Sequence, residues 1–507
     1  MSYHFNLASL FTQIVNTYSE HAAIKYAEQS YSYQRLNTDS ALVATFLLQE
    51  GITRGDVIAI INSKQYISFV LMLACIKIGA IYTNIDPDAP LAWFNHIVHI
   101  AKPTRIFSDA GSIENSAVLI ESTDVLIHFI ENNNNPLWDY PHFDGDAVAY
   151  IMFTSGSTGM PKGVAITQQN LLHFIHWSVQ RYSICPGDIF ANVSPLYFDN
   201  SVFDFYTALF SGACIAPIAK AIVSSPKQLV EYVDLLKCTI WFSVPSLLIY
   251  LMTTKVLQQN TFSYLRVVTF GGEGYPKIEL KKLFDLYNSR IKFINVYGPT
   301  ECTCICSSYT ITEKDFENLD SLPALGEINP NISYLILNSD NKLDVMGELC
   351  LFGPNVAVGY YNDFERSASV FYHYTGYGFY QTKMYRTGDL VRQAENLLYF
   401  VGRKDNQIKH MGYRIELEAI EIAINKLAGV NEAAVVYVRN NVAYGKIIAF
   451  IATENSNLDS NVIKVQLKKV LPEYMLPNQC EFLECLPKNA NGKIDRVKLK
   501  NGVSQIS

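Results

Sequence analysis

Marks of export and of membrane insertion are missing from this chain. Its opening, "MSYHFNLASLFTQIVN", has no basic segment ahead of a long apolar run, which argues against a secretory signal. The nearest approach to a membrane span, "YISFVLMLACIKIGAIYTNI" at residues 66 to 85, is interrupted by Lys77 and followed at once by "DPDAP". It reads as a buried helix running into a buried strand. Ten cysteines are scattered without a paired framework, which fits a reducing cytosol and predicts a cytoplasmic protein. "CTCIC", with Cys302, Cys304 and Cys306, is expected to place three thiols on one face of a strand. Zinc sites favour C-x₂₋₄-C with a second ligand pair, and no second cluster exists, so no metal is expected there. Excess positive charge is also missing: the formal charge of −7 argues against nucleic acid or anionic membrane as a partner. No internal repeat or low-complexity tract stands out.

What is there is an ordinary globular composition, 49% hydrophobic and 17% charged, in 507 residues, too long for a single core. Up to about residue 400 apolar β-rich runs alternate with helical patterns, the layout of an α/β protein. "DVIAIIN" (56 to 62), "AVAYIMFTSG" (147 to 156), "TIWFSVP" (239 to 245), "LRVVTFGGE" (265 to 273) and "KFINVYGPTE" (292 to 301) read as buried strands. The last four end in polar or glycine residues, where open α/β sheets place their ligands. After "FVGRKDNQIK" the texture changes. "GYRIELEAIEIAINKL" carries Leu417, Ile420, Ile424 and Leu427 at helical spacing, then two strand patterns and a further amphipathic helix follow. The expected division is a large domain of stacked α/β sheets over 1–402 and a small, mobile α+β domain over 403–507.

"FTSGSTGMPKGV", residues 153 to 164, gathers Gly156, Gly159 and Gly163 among Thr154, Ser155, Ser157 and Thr158, with Lys162 near its end. Such backbone wraps a phosphate closely, hydroxyls donate to its oxygens, and a lysine neutralises it. The Walker pattern is not met, because Lys162 is followed by Gly163. Taken alone, such a Ser/Thr/Gly cluster is more often a plain flexible loop.

Seven stretches in order remove that ambiguity: "FTSGSTGMPKG", "VYGPTE", "GELCLFGPNVAVGYYND", "YRTGDL", "GRKDNQIKHMGYRIELEAIE", "LPEYMLP" and "NGKIDR". Together they resemble the acyl-adenylate-forming enzymes, in particular the branch of nonribosomal peptide synthetase adenylation domains and D-alanine:carrier-protein ligases. The likeness runs from about residue 30 to 496. It implies that a carboxylate attacks the α-phosphate of ATP, expelling pyrophosphate, and that catalysis consists of holding anions in line and stabilising growing charge.

The resemblance also implies roles. Thr154, Ser155, Gly156, Ser157, Thr158, Gly159 and Lys162 would embrace the departing phosphates. Gly272, Asn295, Val296, Tyr297, Gly298 and Pro299 would frame the nucleotide, with Tyr297 stacked on adenine and Asn295 beside the base. Thr300 would donate to the α-phosphate and Glu301 would help hold Mg²⁺. Asp389 would accept from the ribose hydroxyls, Arg403 would reach ribose or phosphate, and Lys493 would be the catalytic lysine delivered by the small domain. Asp405 would be the hinge, and Gly412 would line the channel for a pantetheine thiol.

In "YFDNSVFDF", Asp199 matches the aspartate that binds a substrate α-amino group; Asp204 competes, but its place suggests structure. Such a carboxylate calls for a cation, and an ammonium substrate supplies one. The side-chain pocket implied by the likeness comprises Asn200, Phe203, Leu247, Val268, Phe270, Val296, Cys304 and Ile305, without a charge and with two bulky phenylalanines. A small, uncharged, alanine-like amino acid is expected, although D-alanine ligases carry Cys where Phe270 stands. With eleven residues after Arg496, the acyl acceptor is expected in trans, a separate carrier protein or free coenzyme A. The competing readings are an acyl- or aryl-CoA ligase, which has no use for Asp199, and an inactive nucleotide-binding scaffold.

Overall fold

The computed structural model describes residues 4–111, 113, 116–139, 143–156, 159–377, 380–439, 445–453, 458–489 and 494–503. Two large sheets lie over one another. The first has nine strands, of which six neighbours run parallel: Ala22–Lys25, Cys214–Pro217, Ile189–Asn192, Ile240–Ser243, Val267–Gly271 and Lys292–Tyr297. The second has seven, including Val57–Ile61, Ile81–Ile85, Val148–Thr154 and Lys162–Thr167. Strands such as "VIAII" and "IYTNI" are buried at every position, as parallel strands covered on both faces must be.

One core joins the two sheets. Ile58, Ile60, Tyr150 and Met152 of the seven-stranded sheet share it with Phe190, Ile215, Phe242 and Ile294 of the nine-stranded sheet. Between them runs the helix Tyr66–Ile78, buried on all sides, which ends at Gly79 and leads into Ile81–Ile85. The apolar run around Lys77 is therefore a helix and a strand inside the protein, as its interruption suggests. No described helix is long and apolar enough to cross a membrane.

A five-stranded antiparallel sheet (Ser333–Leu337, Met346–Phe352, Phe371–Tyr377, Tyr380–Ala394, Leu397–Arg403) closes the large part of the chain. Its last strand ends at Arg403, two residues before Asp405. Beyond it lie the hairpin Gln407–His410/Tyr413–Glu416 and a three-stranded sheet, Glu432–Arg439, Gly445–Ala452 and Gln479–Leu483. Helices Leu417–Asn425 and Ser460–Leu467 cover one face of that sheet through Val435, Ala449 and Ile451. The other face, with Ala434, Val436, Ile448 and Phe450, packs on Leu486, Ile494 and Leu499.

One expectation fails locally. "CTCIC" does not form a strand: Thr300–Cys302 is a 3-10 turn, and Thr303 and Cys304 have φ of 57° and 69°. The left-handed turn lets Gly298 lie against Cys304, since a Cβ on Gly298 would fall 2.2 Å from the Cys304 carbonyl oxygen. Cys302 and Cys306 go into a core, and Cys304 turns to a cavity instead. Among the described residues no group of three His, Cys, Asp or Glu could hold a metal ion.

Candidate active site

Four strand ends converge on one cavity. Thr154 and Ser155 come from the end of Val148–Thr154, Phe242 from Ile240–Ser243, Gly272 from just past Val267–Gly271, and Val296 from Lys292–Tyr297. Asp199, Asn200, Thr300 and Cys304 complete the large part's share, and Lys409, Gly412 and Arg414 reach in from the hairpin. The convergence follows from a mostly parallel sheet, whose strands deliver their C-terminal ends to one side.

Asp199 and Thr300 touch: the Thr300 hydroxyl donates to Asp199 Oδ2 at 2.5 Å. Neither lysine nor arginine pairs with Asp199 among the described residues. Asp204 lies elsewhere, fully buried. It accepts from Asn192 Nδ2 at 2.9 Å, and burial pushes its carboxyl up to about 8. Nearby, Lys64 Nζ donates to the carbonyls of Asn192, Val193 and Ile218. Asp204 is thus structural, while Asp199 faces the cavity.

Glu301 sits at the centre of a charged knot. Its Oε1 takes the Tyr360 hydroxyl at 2.8 Å and faces Lys162 Nζ at 3.1 Å, while its Oε2 takes Arg414 Nη1 at 2.7 Å. Burial alone raises a carboxyl, but Arg414 and Lys162 outweigh it and hold Glu301 well below the usual carboxylate range. Burial also pulls the Lys162 ammonium below its ordinary value, against the pull of Glu301. Sequence reasoning gave no role to Arg414, Tyr360 or Lys409; all three lie inside the quoted stretches "GYRIELEAIE", "VGYYND" and "QIKHMG".

A second polar chain joins Tyr297, Asp389, Arg403 and Asp405. The Tyr297 hydroxyl donates to Asp389 Oδ2 at 2.6 Å, and Arg403 Nη1 donates to Asp389 Oδ1 at 2.5 Å. Arg403 then grips Asp405 through Nε and Nη2 at 2.6 and 2.7 Å. Burial pushes the Asp405 carboxyl up and the Arg403 fork more than offsets it, leaving it below its ordinary range. Asn295 spends its amide hydrogens on the Ala324 carbonyl at 2.7 Å. The residue assigned to ribose and the residue assigned to the hinge are therefore joined by one guanidinium.

Of the eight expected pocket residues, Asn200, Val296 and Cys304 line the cavity. Phe203 stands one layer back, its ring 5.5 Å and edge-on from the lining Phe242. Phe270 and Val268 are in the core beyond, where Phe270 packs against Tyr275 at 5.0 Å. Ile305 is also in a core and Leu247 packs at the edge of another. The wall is instead made by Met152, Phe198 and Phe242.

The hairpin is seated against the large part. Gly412 N donates to Glu273 Oε2 at 3.3 Å, and a Cβ on Gly412 would fall 2.4 Å from Val244 Cγ1, with φ at +82°. Only glycine fits there. Tyr413 stacks on Tyr474 at 3.9 Å and meets Phe198 edge-on at 4.9 Å. A second, mostly apolar cavity opens beside these rings, lined by Ile85, Trp93, Tyr197, Phe198, Pro472 and Tyr474. Ser157, Thr158 and Lys493 lie outside the described residues. Ile494 packs on the face of the small sheet away from the helices that adjoin the large part.

Comparison with known proteins places this arrangement. The family model described as AMP-binding enzyme matches residues 11–361, and the AMP-binding enzyme C-terminal domain matches 419–493. A D-alanine–D-alanyl carrier protein ligase of Bacillus licheniformis is 31% identical over 489 residues, 94% of this chain and 95% of that protein. An L-proline–[L-prolyl-carrier protein] ligase of Pseudomonas fluorescens is 31% identical over 502 residues, 96% of this chain and 97% of that one. The fold is that of an adenylation domain of Vibrio cholerae solved with glycyl-adenosine-5'-phosphate: TM-score 0.85, 22% identity, 100% of this chain and 99% of that one.

Proposed function

The chain belongs to the AMP-binding enzyme family, and we propose that it uses ATP to activate a small, uncharged α-amino acid. The aminoacyl-adenylate forms with release of pyrophosphate, and the aminoacyl group then passes to the phosphopantetheine thiol of a separate carrier protein. The observation that carries this reading is the Thr300–Asp199 contact in the shared cavity. An acidic anchor for an ammonium group stands one hydrogen bond from a hydroxyl assigned to the α-phosphate. An amino acid held there by its ammonium would keep its carboxylate close to that hydroxyl. Ligases for D-alanine and L-proline carrier proteins among the relatives support the amino-acid class.

The residues divide the work. Asp199 binds the ammonium, and Met152, Phe242, Val296 and Cys304 give the side chain an apolar, uncharged wall. Thr154, Ser155, Gly156, Gly159 and Lys162 take the phosphates; Tyr297 and Asp389 take adenine and ribose. Glu301 is a single carboxylate, which suits Mg²⁺, a hard cation that keeps waters and takes most of its ligands from phosphate oxygens. When bound there, Mg²⁺ would neutralise charge on the phosphates. Lys493 would stabilise the charge that grows during attack on the α-phosphate.

The seated hairpin fits the second half-reaction. Gly412 stands at the cavity, and the adjoining channel by Trp93, Phe198 and Tyr474 gives a pantetheine arm an apolar path. On this reading the large domain is 1–402, the small one 403–507, and Asp405 is the pivot between them. An acyl-CoA ligase would leave Asp199 without a cation. The test is ATP–pyrophosphate exchange with each amino acid in turn, against carboxylic acids without amines. Exchange supported equally by an amine-free acid would overturn the reading.

A further inference from the structure

Just past the stretch "GELCLFGPNVAVGYYND" stands an arginine to which sequence reasoning gave no role, Arg366. Its surroundings tie it to the loop of residues 153 to 164. The strand Gly359–Tyr360 pairs antiparallel with Lys162–Thr167, Gly359 opposite Ala165 and Tyr360 opposite Val164. The Tyr360 hydroxyl also accepts from Lys162 Nζ at 2.9 Å. Tyr360 leads into the short helix Phe364–Val370, where Asp363 Oδ1 accepts from the Arg366 amide at 3.1 Å. The Ser367 hydroxyl donates to the Asp363 carbonyl at 2.7 Å and accepts from the Tyr360 amide at 2.8 Å. Arg366 is thus mounted on the strand pair that carries Lys162. Its guanidinium lies against Gly156: a Cβ built there would fall 3.1 Å from Arg366 Nη1. The absent side chain is what lets the cation reach the backbone of the loop.

We propose, resting on the reading of residues 153 to 164 as the loop that holds the departing phosphates, that Arg366 is a further phosphate-binding residue. Its guanidinium takes an oxygen of those phosphates beside the bare backbone of Gly156. Pyrophosphate is a polyanion, whereas Lys162 and Arg414 both already answer one carboxylate, that of Glu301. His96 stands close to the Pro161 carbonyl, but burial above all, then His99 and Arg366, hold it below its ordinary value. At neutral pH that ring is mostly uncharged. Arg366 keeps its charge throughout, and its planar fork fits phosphate oxygens two at a time. An ion pair between neighbours on a helix surface would give Arg366 an ordinary purpose. That pair, to Asp363, is 3.5 Å long, with the two side chains 22% and 30% exposed. A loose pair in such a place is worth little, so a phosphate can draw the guanidinium from it at small cost. Asp363 is moreover already employed as the helix cap.

Calorimetry on the full chain tests this with two probes: magnesium pyrophosphate, which carries only the departing phosphates, and AMP, which lacks them. Arg366→Gln should weaken magnesium pyrophosphate by roughly tenfold or more, as expected on losing a hydrogen bond to a charged group, and leave AMP unchanged. Arg366→Lys should recover part of the loss, since the charge returns without the fork. Asp363→Asn keeps an acceptor for the helix cap but removes the ion pair, and it should bind magnesium pyrophosphate no more weakly than the wild type. Undiminished binding by Arg366→Gln overturns the inference and leaves the proposed activity standing. Equal weakening of both probes does the same, because it marks a role in the shape of the site. So does a loss in Asp363→Asn that matches Arg366→Gln, which would make the ion pair the working unit. A wild-type chain that binds no magnesium pyrophosphate would instead overturn the phosphate-loop reading, and the inference with it.

Discussion

The Thr300 hydroxyl donates to the Asp199 carboxylate at 2.5 Å. These residues are 101 positions apart, Asp199 just before the short helix Asn200–Val202 and Thr300 just past the strand Lys292–Tyr297, yet they share one cavity. A hydroxyl given to Asp199 in this arrangement becomes free for a phosphate oxygen when an ammonium takes its place, so the two substrates should bind cooperatively at this point.

Asp199→Ala should therefore weaken the amino acid far more than the nucleotide. Losing a hydrogen bond to a charged group costs about 1.5–3 kcal/mol, or roughly 10- to 150-fold. The check is steady-state exchange kinetics: KM for the amino acid should rise by that factor, with KM for ATP changed only slightly. Equal changes in both would show that Asp199 supports the fold of the site and not the ammonium.

The cavity wall predicts a difference between two phenylalanines. Phe242 lines the cavity, whereas Phe270 is buried behind it against Tyr275. Phe242→Ala should widen the substrate range toward larger apolar side chains, each added methylene being worth about 0.8 kcal/mol, or roughly fourfold. Phe270→Ala should chiefly cost stability, about 3–5 kcal/mol for a buried Phe, with the order of preferred substrates unchanged. A panel of amino acids in the exchange assay, run beside denaturant unfolding, separates the two effects.

Lys77 gives the fold a pH dependence that can be measured. It is 5% exposed in the helix Tyr66–Ile78, where its Nζ donates to Asn37 Oδ1 at 2.6 Å and lies near the Phe11 and Trp138 rings. Burial brings the ammonium down to about 7. The unfolded chain keeps this proton until about 10.4. Between those values the unfolded state binds more protons than the native state, so stability should rise with pH by up to about 1.4 kcal/mol per unit from this group. Below about 7 the burial cost is present in full. Lys77→Met should flatten that slope in urea unfolding from pH 7 to 10 and stabilise the protein most at the acid end.

Much of this was legible along the chain. Strand ends carrying Gly, Ser, Thr and Glu announced a site because a parallel sheet brings such ends together, and "FTSGSTGMPKGV", "VYGPTE" and "YRTGDL" do meet. The turn at Cys304 was not legible, since alternation of Cys with Thr and Ile suits a strand, and the close approach of Gly298 that bends it is a tertiary fact. Phe203 and Phe270 looked like pocket walls by position, but depth in a core depends on which layer of side chains comes first, and Phe242 comes first. The Arg414–Glu301 pair was hidden for another reason: it joins two stretches 113 positions apart, and no local pattern encodes that.

The hinge itself can be tested through its two half-reactions. Arg403 holds Asp389 with one nitrogen and Asp405 with two others, so the residue proposed for ribose is tied to the residue proposed as pivot. The Asp405 amide donates to no group among the described backbone bonds, so a proline there costs no bond from that amide, only the carboxylate's bonds from Arg403 and the Gln407 amide, and the large part should fold. Proline fixes φ near −65° and hinders rotation between orientations. Asp405→Pro should therefore slow aminoacyl transfer to a carrier while adenylate formation persists. Lys493→Ala should do the reverse, because a contact made only to charge developing at the α-phosphate is worth about 10²–10³ in rate during adenylation. It should have no part in attack by a thiol, a step in which no bond to phosphorus is made or broken. Single-turnover assays of each step, the second started from supplied aminoacyl-AMP, give four rates. If both variants lose both steps equally, with unfolding midpoints at the wild-type value, the small domain does not alternate between two working orientations about Asp405.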